Sequence, residues 1–353
     1  MDEVMLDFYR GKKVFITGHT GFKGTWLCRI LIHAGAEVTG YALDPPTTPS
    51  LFTLTGTKCN IHSLHSDVRD REALVRAMQD AKPDVVFHLA AQPLVRLSYR
   101  EPTATYEANV MGTVNVLEAV RLTSSVKSFV NVTTDKVYEN MEWHWGYREN
   151  ENLCGYDPYS NSKSCSELVT YSYRKSFFCD EDSPAISTAR SGNVIGGGDY
   201  AEDRIVPDCI RAMEADREVK IRSPNSIRPY QHVLECLSGY LLLAKKQLND
   251  KTIEGAYNFG PNDESCVSTG KLADLFCDSW GMSAKWRAQS DGGPHEANFL
   301  KLDCSKAKAI LGWQPRWDIK TAVDKTVEFA KANTDLERAS CIDTQINLYF
   351  NER

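Results

Sequence analysis

The chain has 353 residues, 42% apolar and 25% charged, the balance of a soluble globular protein and not of a disordered or fibrous one. That length predicts two domains, because single cores stop growing at roughly 250–300 residues. A formal net charge of −6 argues against a surface that tracks nucleic acid, and the longest nearly apolar run, 237–244, is too short to span a bilayer.

The acidic N-terminus lacks the basic start and apolar core of a signal peptide. Eleven cysteines are scattered from Cys28 to Cys341 with no CxxC pair, so no metal site is expected. They read as buried reduced thiols in a cytoplasmic protein.

In chain order, Lys13-Val-Phe-Ile-Thr17 predicts a buried strand and 22–34 a helix closed by Gly35. A second strand covers 37–43 and ends at Asp44; a weaker third covers 59–66 and leads to a helix over 70–81. A fourth strand follows at 83–91, a long helix at 102–124, a fifth strand at 128–133, and a helix from Tyr159 to about 178. Continuous apolar strands alternating with helices predict an α/β fold: a doubly wound parallel sheet covered on both faces. After Gly196 the rhythm becomes irregular, with helices expected at 206–217, 233–248, 269–280, 305–311 and 319–333. The expected division is a Rossmann domain over 1–196 and a smaller, mainly substrate-binding α/β domain over 197–353, with the chain free to cross between them.

Between the first strand and helix stand Gly18, Gly21 and Gly24, in Thr17-Gly-His-Thr-Gly-Phe-Lys-Gly24. Such glycines allow a tight turn and close approach of a pyrophosphate to the helix N-terminus. Asp44, about twenty residues on, is placed to bind the adenosine ribose and repel a 2′-phosphate, which selects NAD over NADP. Asp67, ending the third strand, suits either the adenine amino group or a helix N-cap. Farther on, Tyr159-Ser-Asn-Ser-Lys163 places a phenol and an ammonium one helical turn apart, the arrangement that favours a phenolate base.

These pieces, with His88-Leu-Ala-Ala91, Asn109, Thr133-Thr-Asp-Lys-Val-Tyr138, Arg190-Ser-Gly-Asn193, Arg228-Pro-Tyr230, Tyr257-Asn-Phe-Gly260 and Leu311-Gly-Trp313, make the chain resemble the extended short-chain dehydrogenase/reductase family from about residue 12 to 317. The run Gly192–Tyr200 and the pair Asp135-Lys136 resemble the branch that dehydrates CDP-glucose. The resemblance implies a tightly bound, recycled NAD held by Gly18, Thr20, Gly21, Phe22, Lys23, Gly24, Asp44, Asp67, Val68, Leu89, Ala90, Ala91 and Asn109, together with Tyr159 and Lys163. It makes Thr134 the partner of the sugar 4-hydroxyl and of Tyr159, and Asp135 the acid that protonates the departing 6-hydroxyl.

Lys136 departs from the Glu common in related sugar dehydratases; it serves either as a partly neutral base at C5 or as an electrostatic stabiliser. The resemblance also puts the sugar nucleotide on Gln92, Thr134, Asn193, Arg204, Arg228, His295 and Glu296. It implies a homo-oligomer, dimer or tetramer, joined through the helices near 102–124 and 159–178. A nucleotide-sugar 4-epimerase would lack use for an acid after the threonine, and a catalytically dead NAD-binding scaffold would not need Tyr159 and Lys163.

Overall fold

The computed structural model describes residues 3–281, 284–289, 292 and 297–351. Seven strands, β1 (Lys13–Thr17), β2 (Glu37–Ala42), β3 (His62–His65), β4 (Val85–His88), β5 (Ser128–Val132), β6 (Ala185–Ser191) and β7 (Ala256–Phe259), form one sheet. Their order is β7-β6-β5-β4-β1-β2-β3, and every neighbouring pair is parallel. The alternation of side chains along each strand builds two separate cores. Val14, Ile16, Val85 and Phe87 point into one, with Trp26, Leu27, Ile30 and Leu31 of the helix Phe22–His33 and Leu234, Leu237 and Leu241 of the helix Val233–Asn249. Phe15, Val86, Phe129 and Ile186 point into the other, against Leu74 and Met78 of the helix Arg71–Ala81 and Val116, Leu117 and Val120 of the helix Gly112–Arg121.

The strand order reverses between β1 and β4. In an open α/β sheet this is where a crevice opens at the carboxyl ends of the strands. The phosphate loop leaves β1 there, residues 89–92 leave β4, and residues 133–138 leave β5.

Beyond residue 196 the chain does not stay apart from the sheet. The helix Val233–Asn249 lies in the first core, and β7 pairs with β6. The remaining segments build a third core from Ile195, Val206, Cys209, Leu272, Phe276, Val323 and Val327. Three short ladders frame it: Val194–Ile195 with Gln231–His232, Ile227–Pro229 with Cys266–Ser268, and Val219–Ile221 with Trp286–Ala288.

The sequence reading placed no strand at β6 or β7 and no helix at Leu51–Leu54 or Val95–Arg100, and two further elements depart from it. The expected helix over 102–124 is Pro102–Tyr106 followed by a π-helical turn, Glu107–Met111, before Gly112–Arg121. A C-terminal helix, Asp335–Asn351, had no expected counterpart; its Ile342, Ile346, Tyr349 and Phe350 join the first core, and Asp343 pairs with Arg29. No described helix is long and apolar enough to cross a membrane.

Candidate active site

Close contact between backbones shapes the phosphate loop. Gly18 sits at φ +77°, and a Cβ there would lie 2.6 Å from Ala90 N; one on Gly24 would lie 2.1 Å from Gly18 O. Both positions need glycine for internal packing. Gly21 is different: a Cβ would meet only Gly18 O at 3.5 Å, ordinary contact, so the protein itself does not demand glycine there. Gly21 caps the helix Phe22–His33 without a side-chain hydrogen bond to its first turn. Open space over an uncapped helix N-terminus fits a dinucleotide pyrophosphate.

The neighbouring cofactor candidates are held by the same loop. Thr20 Oγ1 donates to Leu43 O at 2.9 Å, and the N–H groups of Leu89 and Ala90 donate to Thr17 Oγ1 at 3.2 and 3.3 Å. Ala91 follows half-buried, and Phe22 lies under Gly196. Asp44 projects from the end of β2 with its side chain 85% exposed, 3.6 Å from His65 Nε2. The N-cap role left open for Asp67 belongs instead to Asp70, which accepts from Ala73 N at 3.0 Å. Asp67 pairs with Arg69 at 2.6 Å and lines an open hollow of about 620 Å³ with Glu107, Met111 and Asn115. Val68, next in the chain, is buried against Gly112 and does not line the hollow.

Asn109 occupies the π-helical turn. Its amide clamps Gln92 N and O, at 2.8 and 3.1 Å, to Ser162 Oγ at 2.9 Å, so it braces the 89–92 loop against the helix Pro158–Phe177. The Gln92 side chain is engaged in its own turn, with Leu94 and Thr105.

The chemistry-bearing groups meet at the end of β5. Thr134 caps a short 3₁₀ turn, Asp135–Val137, and its Oγ1 donates to Asp135 Oδ1 at 3.0 Å. Opposite stands the helix Pro158–Phe177, started by Pro158 and by Asp157, whose carboxylate caps Ser160 N at 3.0 Å. Tyr159, on its first turn, lies where the Thr134 hydroxyl acts on its phenol. Lys163 follows one turn later and donates from Nζ to Val132 O at 3.1 Å.

Burial sets the electrostatics. It pushes the Tyr159 phenol up to about 12, against the opposing pull of Thr134 and Arg204. The sequence reading expected a lowered value; desolvation of a nearly enclosed ring outweighs its partners in the protein alone. Lys163 is pulled down to about 8, first by burial and then by the ammonium of Lys23, with Glu167 acting the other way. Asp135 is 2% exposed, its Oδ2 has no hydrogen-bond partner, and burial raises its carboxyl despite Lys136, Thr134, Arg228 and Lys23. Lys136 itself is half-buried beside it.

On the substrate side, Arg204 pairs with Asp199 at 2.9 Å and acts on Tyr159. Arg228 is 7% exposed, is held by the carbonyls of Ile227 and Ala297, and reaches Asp135 electrostatically. Asn193 lies half-buried where its carbonyl accepts from Gln231 N at 3.0 Å. His295 and Glu296 lie outside the described residues.

The sequence reading assigned Lys23 to the cofactor loop and missed its side-chain setting. Nζ donates to Ser191 Oγ at 2.8 Å, lies over the Tyr240 ring and acts on Asp135 and Lys163. It also overlooked Glu167, although its spacing from Lys163 puts both on one helix face, and it named Arg190 without giving it a role.

Comparison with known proteins agrees with this geometry. The GDP-mannose 4,6 dehydratase family model matches residues 15–326. A CDP-glucose 4,6-dehydratase from Salmonella typhimurium is 50% identical over 332 residues, covering 92% of each chain. Among solved structures, a UDP-glucuronic acid 4-epimerase from Bacillus cereus, in complex with its substrate and NAD, has a TM-score of 0.77 at 24% identity, covering 90% of this chain and 98% of that one. A dTDP-glucose 4,6-dehydratase from Bacillus anthracis, in complex with NAD, has a TM-score of 0.76 at 19% identity, with coverages of 91% and 96%. With a match spanning most of its length and a relative identical at half its positions, the chain belongs to the GDP-mannose 4,6 dehydratase family.

Proposed function

We propose that this chain is an NAD-dependent hydro-lyase that converts CDP-D-glucose to CDP-4-keto-6-deoxy-D-glucose, a step toward deoxysugars of the lipopolysaccharide type. Asp135 carries the reading: a buried carboxyl with one unpartnered oxygen, inclined by burial to hold a proton, sits on the turn that also presents Thr134 to Tyr159. An acid next to the oxidation base is what removal of water needs and what epimerisation does not. The substrate nucleotide is suggested by the Salmonella typhimurium relative.

In this reading Tyr159 accepts the 4-hydroxyl proton, with Thr134 orienting that hydroxyl and Arg204 favouring the phenolate. NAD would be held over Gly21 with its ribose at Asp44, and there it would supply the acceptor for the C4 hydride and the donor for C6. Asp135 delivers its proton to the leaving 6-hydroxyl. Lys136, half-buried beside it, stabilises the enolate that forms as the H5 proton passes to solvent water, which gives a proton back to C5 when the hydride reaches C6. Asn193, Arg204 and Arg228 hold the diphosphate, for which the guanidinium fork is suited.

Met111, Leu168 and Tyr171 are 52%, 54% and 57% exposed on the helical layer formed by 107–121 and Pro158–Phe177, and that face supports a homo-oligomer packed through it. Eleven free thiols suit the reducing cytoplasm. The test is incubation of the enzyme and NAD with CDP-, dTDP-, GDP- and UDP-glucose, followed by the absorbance that 4-keto-6-deoxy sugars develop in alkali. CDP-glucose should respond; no response, or an epimeric hexose instead, refutes the proposal.

A further inference from the structure

Behind Tyr159 and Lys163 lies a second set of charges that the reaction above does not use. Glu167 and Arg190 are each 3% exposed. Arg190, on β6, donates from Nε and Nη2 to the two Glu167 oxygens, both at 2.9 Å. The same carboxylate accepts from Thr133 Oγ1 at 2.5 Å and from Thr188 Oγ1 at 2.6 Å. The far side of the guanidinium reaches Tyr138 Oη at 2.8 Å and stacks over that ring at 5.0 Å. Tyr138 in turn donates to Asn258 of β7 at 2.7 Å.

The placement is specific. Lys163 and Glu167, four residues apart on the helix Pro158–Phe177, reach consecutive residues of one strand end, Val132 through its carbonyl and Thr133 through its hydroxyl. The next residue is Thr134, whose hydroxyl acts on the Tyr159 phenol. A fully bonded carboxylate in this position does two things. It fixes the height of the strand end that presents Thr134, and it places a negative charge one helical turn from the Lys163 ammonium.

We propose that Glu167, locked by Arg190, is a positioning residue for the oxidation step, acting through Lys163 and Thr133–Thr134 without touching the substrate. The proposal rests on the reading of Tyr159 and Lys163 as the oxidation pair. The charged and titratable groups facing Lys163 are Lys23 from the helix Phe22–His33, His88 on β4, and Tyr159 and Glu167 on its own helix. His88 is neutral, pulled down to about 3 by burial and by Lys163, and Lys23 repels the ammonium, so among these groups the carboxylate opposes both burial and Lys23. Burial would raise Glu167 itself; Arg190, Thr133 and Thr188 hold it below its ordinary value, so it stays charged.

The test uses the full-length protein labelled with ¹⁵N-lysine, the Lys163 amine being assigned by its loss in Lys163→Met. Glu167→Gln keeps shape and removes the charge. Two unit charges about one helical turn apart, at an effective dielectric of about 20, couple by about one to two pH units. The Lys163 midpoint should therefore fall by about that much, and the alkaline limb of kcat/KM for CDP-glucose should move down with it. Glu167→Asp should restore most of both.

Because Glu167→Gln leaves Arg190 unpaired, the double variant Glu167→Gln/Arg190→Gln is the second readout; it should fold and show a smaller shift of the same sign. An unmoved midpoint in either folded variant overturns the proposal. Failure of both to fold also overturns it, by assigning the pair to stability alone. Absence of turnover by the wild type would instead sink the functional reading, and the amine titration would still decide the coupling.

Discussion

Replacing Asp135 by Asn separates the two halves of the proposed reaction. The asparagine carbonyl can still accept from Thr134 Oγ1, which lies 3.0 Å from Asp135 Oδ1, so the turn should survive. What is lost is the transferable proton on a carboxyl whose second oxygen is buried without a partner. Removing a general acid typically costs about 10²–10⁴ in rate, which is about 2.7–5.4 kcal/mol of transition-state stabilisation. Oxidation at C4 does not use this group, so mixing the variant and NAD with CDP-glucose should build up enzyme-bound NADH, seen by its near-ultraviolet absorbance, while keto-sugar formation stalls.

The same substitution carries a stability signature. The folded carboxyl is raised by burial, so its protonated form is the one the fold favours; that advantage is present below the unfolded value and lost as pH rises through the folded one. Asp135→Asn should therefore melt at or above the wild type at neutral pH, with the difference closing in acid. Elimination at the normal rate would place the acid elsewhere. Failure to form NADH at all would make Asp135 a binding or oxidation residue and refute the division of labour.

Tyr159→Phe should fold and bind NAD, lose about 10²–10⁴ in turnover and show no NADH build-up with CDP-glucose; retention of more than about a tenth of activity rules Tyr159 out as the base. Asp44, exposed at the end of β2, should make NAD bind far more tightly than NADP by calorimetry, and Asp44→Ser should narrow that gap; equal binding by the wild type defeats the ribose assignment. Lys136→Arg keeps the charge and should retain much more keto-sugar formation than Lys136→Met; if the two are equally inactive, Lys136 is the C5 base and not a stabiliser. Leu168→Glu with Tyr171→Glu, both on the exposed helical face, should lower the oligomeric state in sedimentation, and an unchanged mass would place the contact elsewhere.

The parallel sheet was legible in the sequence because β4, β5 and, beyond Lys13, β1 are buried along their length and the first five strands appear in order, although β3, His62-Ser-Leu-His65, is largely polar. Lys13–Thr17 and the helix Thr269–Trp280 match the expected bounds to the residue. The C-terminal helix Asp335–Asn351 was not legible, since its apolar residues are sparse and its partners, such as Arg29, lie hundreds of positions away. Of the site, the spacing of Gly18, Gly21 and Gly24 and of Tyr159 and Lys163 shows chemistry that depends on local geometry. The elevated Tyr159 phenol, the inward turn of Lys23 and the Glu167–Arg190 pair depend on burial and on β6, and no local pattern encodes either.

The 3₁₀ turn Asp135–Val137 has a further consequence. In the proposed reaction, hydride chemistry falls to one helix and one loop, whereas the groups assigned to dehydration occupy two adjacent positions on a turn three residues long. On that reading, oxidation and elimination use neighbouring residues that meet at Thr134, with Lys23 acting on both sets. If the roles proposed for Asp135 and Lys136 hold, exchanging that dipeptide should weaken loss of water while leaving oxidation at C4 in place, without disturbing the sheet.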